Sequence, residues 1–136
     1  MDNKYYAVID TNVIVSAMLS SNPASNPAKV FHAVLNGRVI PLYNDEILDE
    51  YQKVLSRPKF PFKQTDISAI IQLFRKLGID SDRVTADELF PDPKDIVFYE
   101  VALSHEDAYL VTGNLKHFPK QSRVVSPSEM VALLET

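Results

Sequence analysis

Strands that alternate with helices predict an α/β fold, a central parallel sheet covered by helices on both faces. Three observations carry this expectation. Tyr5 to Ile9, Val39 to Tyr43 and Ala108 to Thr112 are short apolar runs of strand length. The stretches between them carry apolar residues at helical spacing and are long enough for crossover connections. The first run also breaks off at Asp10, Thr11 and Asn12, and apolar positions resume at Val13, Ile14, Ala17 and Met18 in a helical pattern. A strand that ends in a carboxylate and turns at once into a helix puts that carboxylate at the carboxyl edge of the sheet, where open α/β sheets bind ligands. Asp10 also fits as a plain helix cap.

The totals bound the answer. The chain of 136 residues has the length of one domain with its own core, and residues 1–136 read as one domain without linker, repeat or low-complexity tract. Hydrophobic residues at 46% and charged residues at 24% are the balance of a globular chain rather than a disordered one. No apolar run approaches the roughly 20 residues of a membrane span, and MDNKYY lacks the shape of a signal peptide. The absence of cysteine excludes disulfides, thiolate catalysis and zinc–sulfur sites, and fits a cytoplasmic location. A formal net charge of −4 argues against a general nucleic-acid coat, so any nucleic-acid contact must come from a local basic patch.

In chain order, Ser20 to Ala28 is a Ser/Asn/Pro loop. Asn26 is the expected cap of the next helix, with Pro27 at its first position and Gly37 as its stop. Val39 to Tyr43 reads as a short buried strand whose Pro41 suits an edge or end position. Asn44 caps a helix from Asp45 to about Leu55, ended by Arg57-Pro58. Lys59 to Gln64 (KFPFKQ) is an aromatic and basic loop. Thr65 is the expected cap of a helix carrying Ile67, Ile70, Ile71, Phe74 and Leu77, closed by Gly78. A short strand is expected around Val84. Asp92 caps and Pro93 opens a helix running to about Ser104, apolar nearly all round and therefore buried. A tight turn at Gly113-Asn114 follows the AYLVT strand, and Val124-Val125 is a last strand. Ser126-Pro127-Ser128-Glu129 is a capping box that opens the terminal helix.

Several oxygen donors fall where this architecture can bring them together. Asp10 ends the first strand, Glu50 lies on the third helix one turn after Glu46, Asp95 opens the fifth helix, and Asn114 follows the strand ending in Thr112. Gathered carboxylates raise one another's pKa unless a cation sits among them. A donor set made only of oxygens suits Mg²⁺ or Mn²⁺, ions that bind phosphate oxygens and acidify bound water. Each residue also has a structural use: Asp92 as a cap before Pro93, Asp95 as a favourable charge at a helix start, and Glu46, Asp49 and Glu50 as a solvated face.

IDTNVIVSAM, EILDEYQKVLSRPKF, DPKDIVFYEVAL and AYLVTGNLKHF resemble, in this order and spacing, the PIN-domain proteins, most closely the subgroup regarded as toxins of toxin–antitoxin systems. The resemblance runs from about Tyr5 to Ser126 and implies a three-layer α/β/α sandwich around a parallel sheet (PIN-like, Rossmann-like). It implies a metal-dependent ribonuclease using Mg²⁺ or Mn²⁺. The first acidic position of the family falls on Asp10, its turn-shaping Thr and Asn on Thr11 and Asn12, its helical glutamate on Glu50, and its later acidic residue on Asp95 rather than Asp92. The Thr-Gly-Asp motif falls on Thr112, Gly113 and Asn114. Asparagine stands there for the usual aspartate and keeps a carbonyl oxygen without the charge, which implies three strong metal ligands (Asp10, Glu50, Asp95) supported by Asn114.

On this reading Thr112 assists through its hydroxyl, and Lys116, His117 and Lys120 are the candidate phosphate contacts. Arg57, Lys59 and Lys63 are secondary candidates, and Phe60 and Phe62 can stack on unpaired bases. The resemblance implies an RNA substrate, a cognate antitoxin and a chain compatible with homodimer formation, with no membrane. Two other readings stand beside it: a PIN-fold module that binds RNA or protein without cutting, favoured by Asn114, and a phosphatase with Asp10 as nucleophile. The last wants a second aspartate where Asn12 stands.

Overall fold

A computed structural model describes residues 3–136. Five strands, β1 (Tyr5–Ile9), β2 (Val39–Tyr43), β3 (Ile79–Asp80), β4 (Tyr109–Val111) and β5 (Val124–Val125), form one parallel sheet in the order β3-β2-β1-β4-β5. Six helices cover it: α1 (Thr11–Leu19), α2 (Asn26–Leu35), α3 (Asp45–Leu55), α4 (Gln64–Leu77), α5 (Ile96–Leu103) and α6 (Pro127–Leu134). The result is the α/β/α sandwich that alternating strands and helices called for. The chain leaves β1 toward β2 on one side and later returns to add β4 on the other. The carboxyl ends of β1 and β4 therefore flank a topological switch point, where the connections diverge and leave a crevice.

β1 sits mid-sheet, with Ala7, Val8 and Ile9 fully or almost fully buried. α5 lies against β1 and β4, α2 and α4 against β2, and α6 against β5 and α2. As expected, α5 is buried on nearly every side: Val97 through Ala102 are all buried, Glu100 among them. Ser126 and Glu129 form the expected capping box of α6, each side chain accepting from the other's backbone N–H.

Five local expectations are corrected. The cap of α2 is Ser25, whose hydroxyl accepts from the Ala28 N–H, while Asn26 is already helical. α4 begins at Gln64, so Thr65 lies inside it, and Lys63 at the cap position makes no side-chain capping bond. β2 is not an edge strand: β1 and β3 flank it. Pro41 is tolerated because its backbone faces the β3 side, where pairing begins only at Leu42 and Tyr43. Its missing N–H thus falls before the ladder starts. No strand forms around Val84; the third strand is Ile79–Asp80, too short and too exposed to show any alternation. The helix expected to start at Pro93 opens as a 3-10 turn, Pro93–Asp95, capped by Asp92 through the Lys94 N–H, before α5 proper.

Gly78 makes the α4–β3 turn possible by close approach. A Cβ there would lie 2.4 Å from the Pro41 carbonyl oxygen and 2.7 Å from that of Phe74, both backbone atoms. Gly78→Ala is expected to cost about 2 kcal/mol, read as a lower urea midpoint with unchanged slope. An unchanged midpoint would mean the turn yields freely.

Candidate active site

Asp10 stands at the cap position of α1 but its carboxylate makes no capping bond there. Its Oδ2 instead accepts from the Thr112 hydroxyl at 2.8 Å and from the Asn12 side-chain amide at 3.2 Å. The plain-cap reading of Asp10 therefore does not describe its side chain. Thr112 in turn accepts from the Asn114 N–H at 3.0 Å, and Asn12 Oδ1 accepts from the Gly113 N–H at 3.0 Å. The two strand ends are thus tied by side chains that all lead to one carboxylate. Tyr51, fully buried on α3, donates its hydroxyl to the Ile9 carbonyl and fixes the end of β1 from the other side.

This carboxylate opens into a cavity of about 450 Å³. Asp10, Glu50, Asp95, Asn114 and His117, separated by up to 107 positions in the sequence, all line it. Thr11, Asn12, Asp92 and Phe98 line it too, together with three cations, Arg57, Lys59 and Lys94. Thr112 acts from behind through Asp10. Glu46 does not join: it pairs with Arg83 at 2.7 Å. Lys116 and Lys120 instead line a separate, largely apolar groove beside Leu115 and Phe118. Lys94 and the pairing function of Asn12 were not singled out from the residue pattern. Lys94 follows a proline in a run of charges, and only the fold turns it toward the acidic cavity.

Burial and charge crowding set the electrostatics. Burial pushes the carboxyl of Asp10 up to about 6 against the pull of the Thr112 hydroxyl, and the charge of Asp95 adds to the rise. Asp95 is also raised, by its own burial first and then by the charges of Asp92 and Glu50, with His117 opposing. His117 Nδ1 lies 3.3 Å from Asp95 Oδ2. Two oxygens of cavity-lining residues are buried: Asp95 Oδ2, which has only the His117 ring beside it, and Thr11 Oγ1, which has no hydrogen-bond partner among the described residues.

Among the described residues no three acidic or histidine side chains converge into a ready cation cage. The donor chemistry nevertheless fits a hard divalent ion. The donors are oxygens, their charges penalise one another without a cation, and the buried Thr11 hydroxyl in the same cavity has no partner among the described residues. Closing on an ion asks the half-buried Glu50 and Asp95 side chains to move toward Asp10.

Sheet order and crevice define a doubly wound α/β/α protein with an acidic pocket at its switch point. The family model of the PIN domain matches residues 6–116, and the chain belongs to the PIN-domain family. PIN domains are generally nucleases that use divalent metals, which points to a nucleic-acid substrate. No curated protein matches the chain closely enough to count as a relative. No helix among the described residues is long and apolar enough to cross a membrane.

Proposed function

We propose that this PIN domain is a divalent-metal-dependent endoribonuclease that hydrolyses RNA phosphodiester bonds, and that it is the toxin of a toxin–antitoxin pair acting in the cytoplasm. The observation that carries the reading is the single cavity shared by Asp10, Glu50, Asp95, Asn114 and His117 at the carboxyl edge of the sheet. Asp10, Glu50 and Asp95 would hold Mg²⁺ or Mn²⁺, with the amide oxygen of Asn114 in support. The ion, when bound, supplies charge that admits a phosphate among carboxylates and acidifies a water molecule.

The chain's own residues then have separate tasks. Thr112 and Asn12 donate to Asp10 and fix the direction of its carboxylate. The Asp95 carboxylate holds His117 at the cavity, where its ring is half exposed and within reach of a phosphate. Phe98 and Val15 form apolar walls that limit water around the charges. A small antitoxin covering the cavity would silence the site.

The test is RNA cleavage with Mn²⁺ by the native chain and by Asp10→Asn. Loss of at least about a hundredfold in the variant is expected for removal of one metal-holding carboxylate; equal cleavage by both proteins would sink the reading. Asn114, which lacks the charge of an aspartate, favours a second reading: a PIN module that binds RNA or protein without cutting it. RNA retention by the native chain with no cleavage under any divalent ion would select that one.

A further inference from the structure

The α3–α4 loop places an aromatic pair at the rim of the acidic cavity. Phe60 lines the cavity beside Asp10 and Glu50, whereas Phe62 packs against the hydrophobic core. Their rings stack with centroids 5.3 Å apart and planes inclined by 18°. Pro61 between them restricts the backbone of Phe60 to extended conformations, and the Phe60 N–H is held by the Arg57 carbonyl at 3.0 Å. Phe60 is thus half exposed yet anchored from below, an unusual posture for a loop phenylalanine. A ring that served only the core would turn inward with Phe62.

One cation covers this ring and two more share its cavity. The Lys59 ammonium sits 5.1 Å from the Phe60 centroid, over the ring. Arg57 and Lys94 line the same cavity. None of the three is engaged in an ion pair among the described residues, although carboxylates share the cavity with them. Unpaired cations flanking an aromatic face are the combination that holds single strands: a base stacks on the ring and the phosphates run past the cations. Phosphate contacts position the strand, and stacking on the face needs the base unpaired.

We propose that Phe60 is a nucleobase platform, which stacks the base next to the scissile phosphate while Lys59 and Arg57 contact the adjoining phosphates. The inference rests on the ribonuclease reading and assigns that site a substrate subsite. Lys59 covers the ring in the free protein, and an arriving base takes its place and releases the ammonium to the strand. Because a purine presents the larger π face, a modest preference for purine over pyrimidine at this position follows. A duplex, whose bases are stacked and paired, gains nothing from the platform.

The chain contains no tryptophan, so Phe60→Trp introduces a single indole at the platform. Binding is measured by anisotropy of labelled oligoadenylate, oligouridylate and a duplex in the Asp10→Asn background with Mg²⁺, so that strand scission does not intrude. Phe60→Ala is expected to weaken oligoadenylate binding about tenfold, oligouridylate less, and the duplex not at all. Phe60→Trp is expected to retain tight binding, with its emission quenched as the base stacks. Equal affinity of Phe60→Ala and its parent, or an indole signal unmoved by bound oligoadenylate, would overturn the platform and leave the nuclease reading intact. Failure of the native chain with Mg²⁺ either to bind or to cleave any of the three strands would overturn both. Should Phe60→Ala fold poorly, the tryptophan signal decides alone.

Discussion

Asp10→Asn is expected to make the metal-free protein more stable at pH 7.5 even as it ends RNA cleavage. The carboxyl of Asp10 rises from 3.8 to about 6 on folding. A carboxylate whose folded-state pKa is raised binds its proton more tightly in the native state, so its contribution to stability falls as pH climbs. The penalty is complete above about pH 6 and is relieved as pH drops toward 3.8, and by linkage it amounts to about 3 kcal/mol. Asparagine removes the charge while its amide oxygen can still accept from Thr112 and Asn12. Its own buried amide leaves a net gain of about 1–2 kcal/mol, or some 4–8 °C in Tm for a chain of this size. The gap should close near pH 4. It should narrow with Mn²⁺, which stabilises only the protein that binds it. A metal-free variant that melts below the native chain at pH 7.5 would refute the burial argument.

The second large effect is expected at Arg83→Met. Glu100 is a charge inside a helix that is buried nearly all round, and Arg83 holds it through two contacts of 2.8 and 2.6 Å. Its other oxygen accepts from the Ala86 N–H at 2.6 Å. Burial works to raise the Glu100 carboxyl, but the Ala86 N–H and the Arg83 guanidinium together hold it below the ordinary glutamate value. With the arginine gone, one buried carboxylate stays largely unpaired, at a cost of about 2–3 kcal/mol. The stretch from Ser81 to Asp92, which has no regular secondary structure, loses its ion pair to α5 and should become more sensitive to protease. The sign of its pH response is opposite to that of Asp10. A depressed carboxyl contributes stability above its unfolded value of 4.5 and loses it as pH falls below that. Arg83→Met/Glu100→Leu should recover much of the loss. Equal denaturant midpoints for native and Arg83→Met would show that the pair contributes nothing.

The strands legible from residue pattern were those made of buried residues, the edge strand β5 with its two buried valines included. β1, β2 and β4 read directly because the core demands apolar side chains on both faces of a parallel strand. β3 did not, because two exposed residues at a sheet edge carry no pattern, and Gly78 announces a helix stop without revealing the close approach to Pro41. Pro41 itself was misleading, since the rule against proline in central strands counts N–H groups that the short partner never uses. The placing of Asp10 and Asp95 on one cavity followed from a strand end and a helix start, which topology brings to one edge, whereas Glu50, in the middle of α3, was picked out by the family resemblance. Glu46 could not be told from Glu50 by helical spacing, because Arg83 draws it away from a distant loop.

The hydroxyl that steadies the Asp10 carboxylate lies 102 residues further along the chain. During synthesis the ribosome delivers Asp10 well before Thr112, and β4 must dock beside β1 before either side chain meets the other. On the proposed ribonuclease reading, a nascent polypeptide carrying only Asp10 and Glu50 would hold an incomplete site, and hydrolysis would wait until β4 has emerged and docked beside β1.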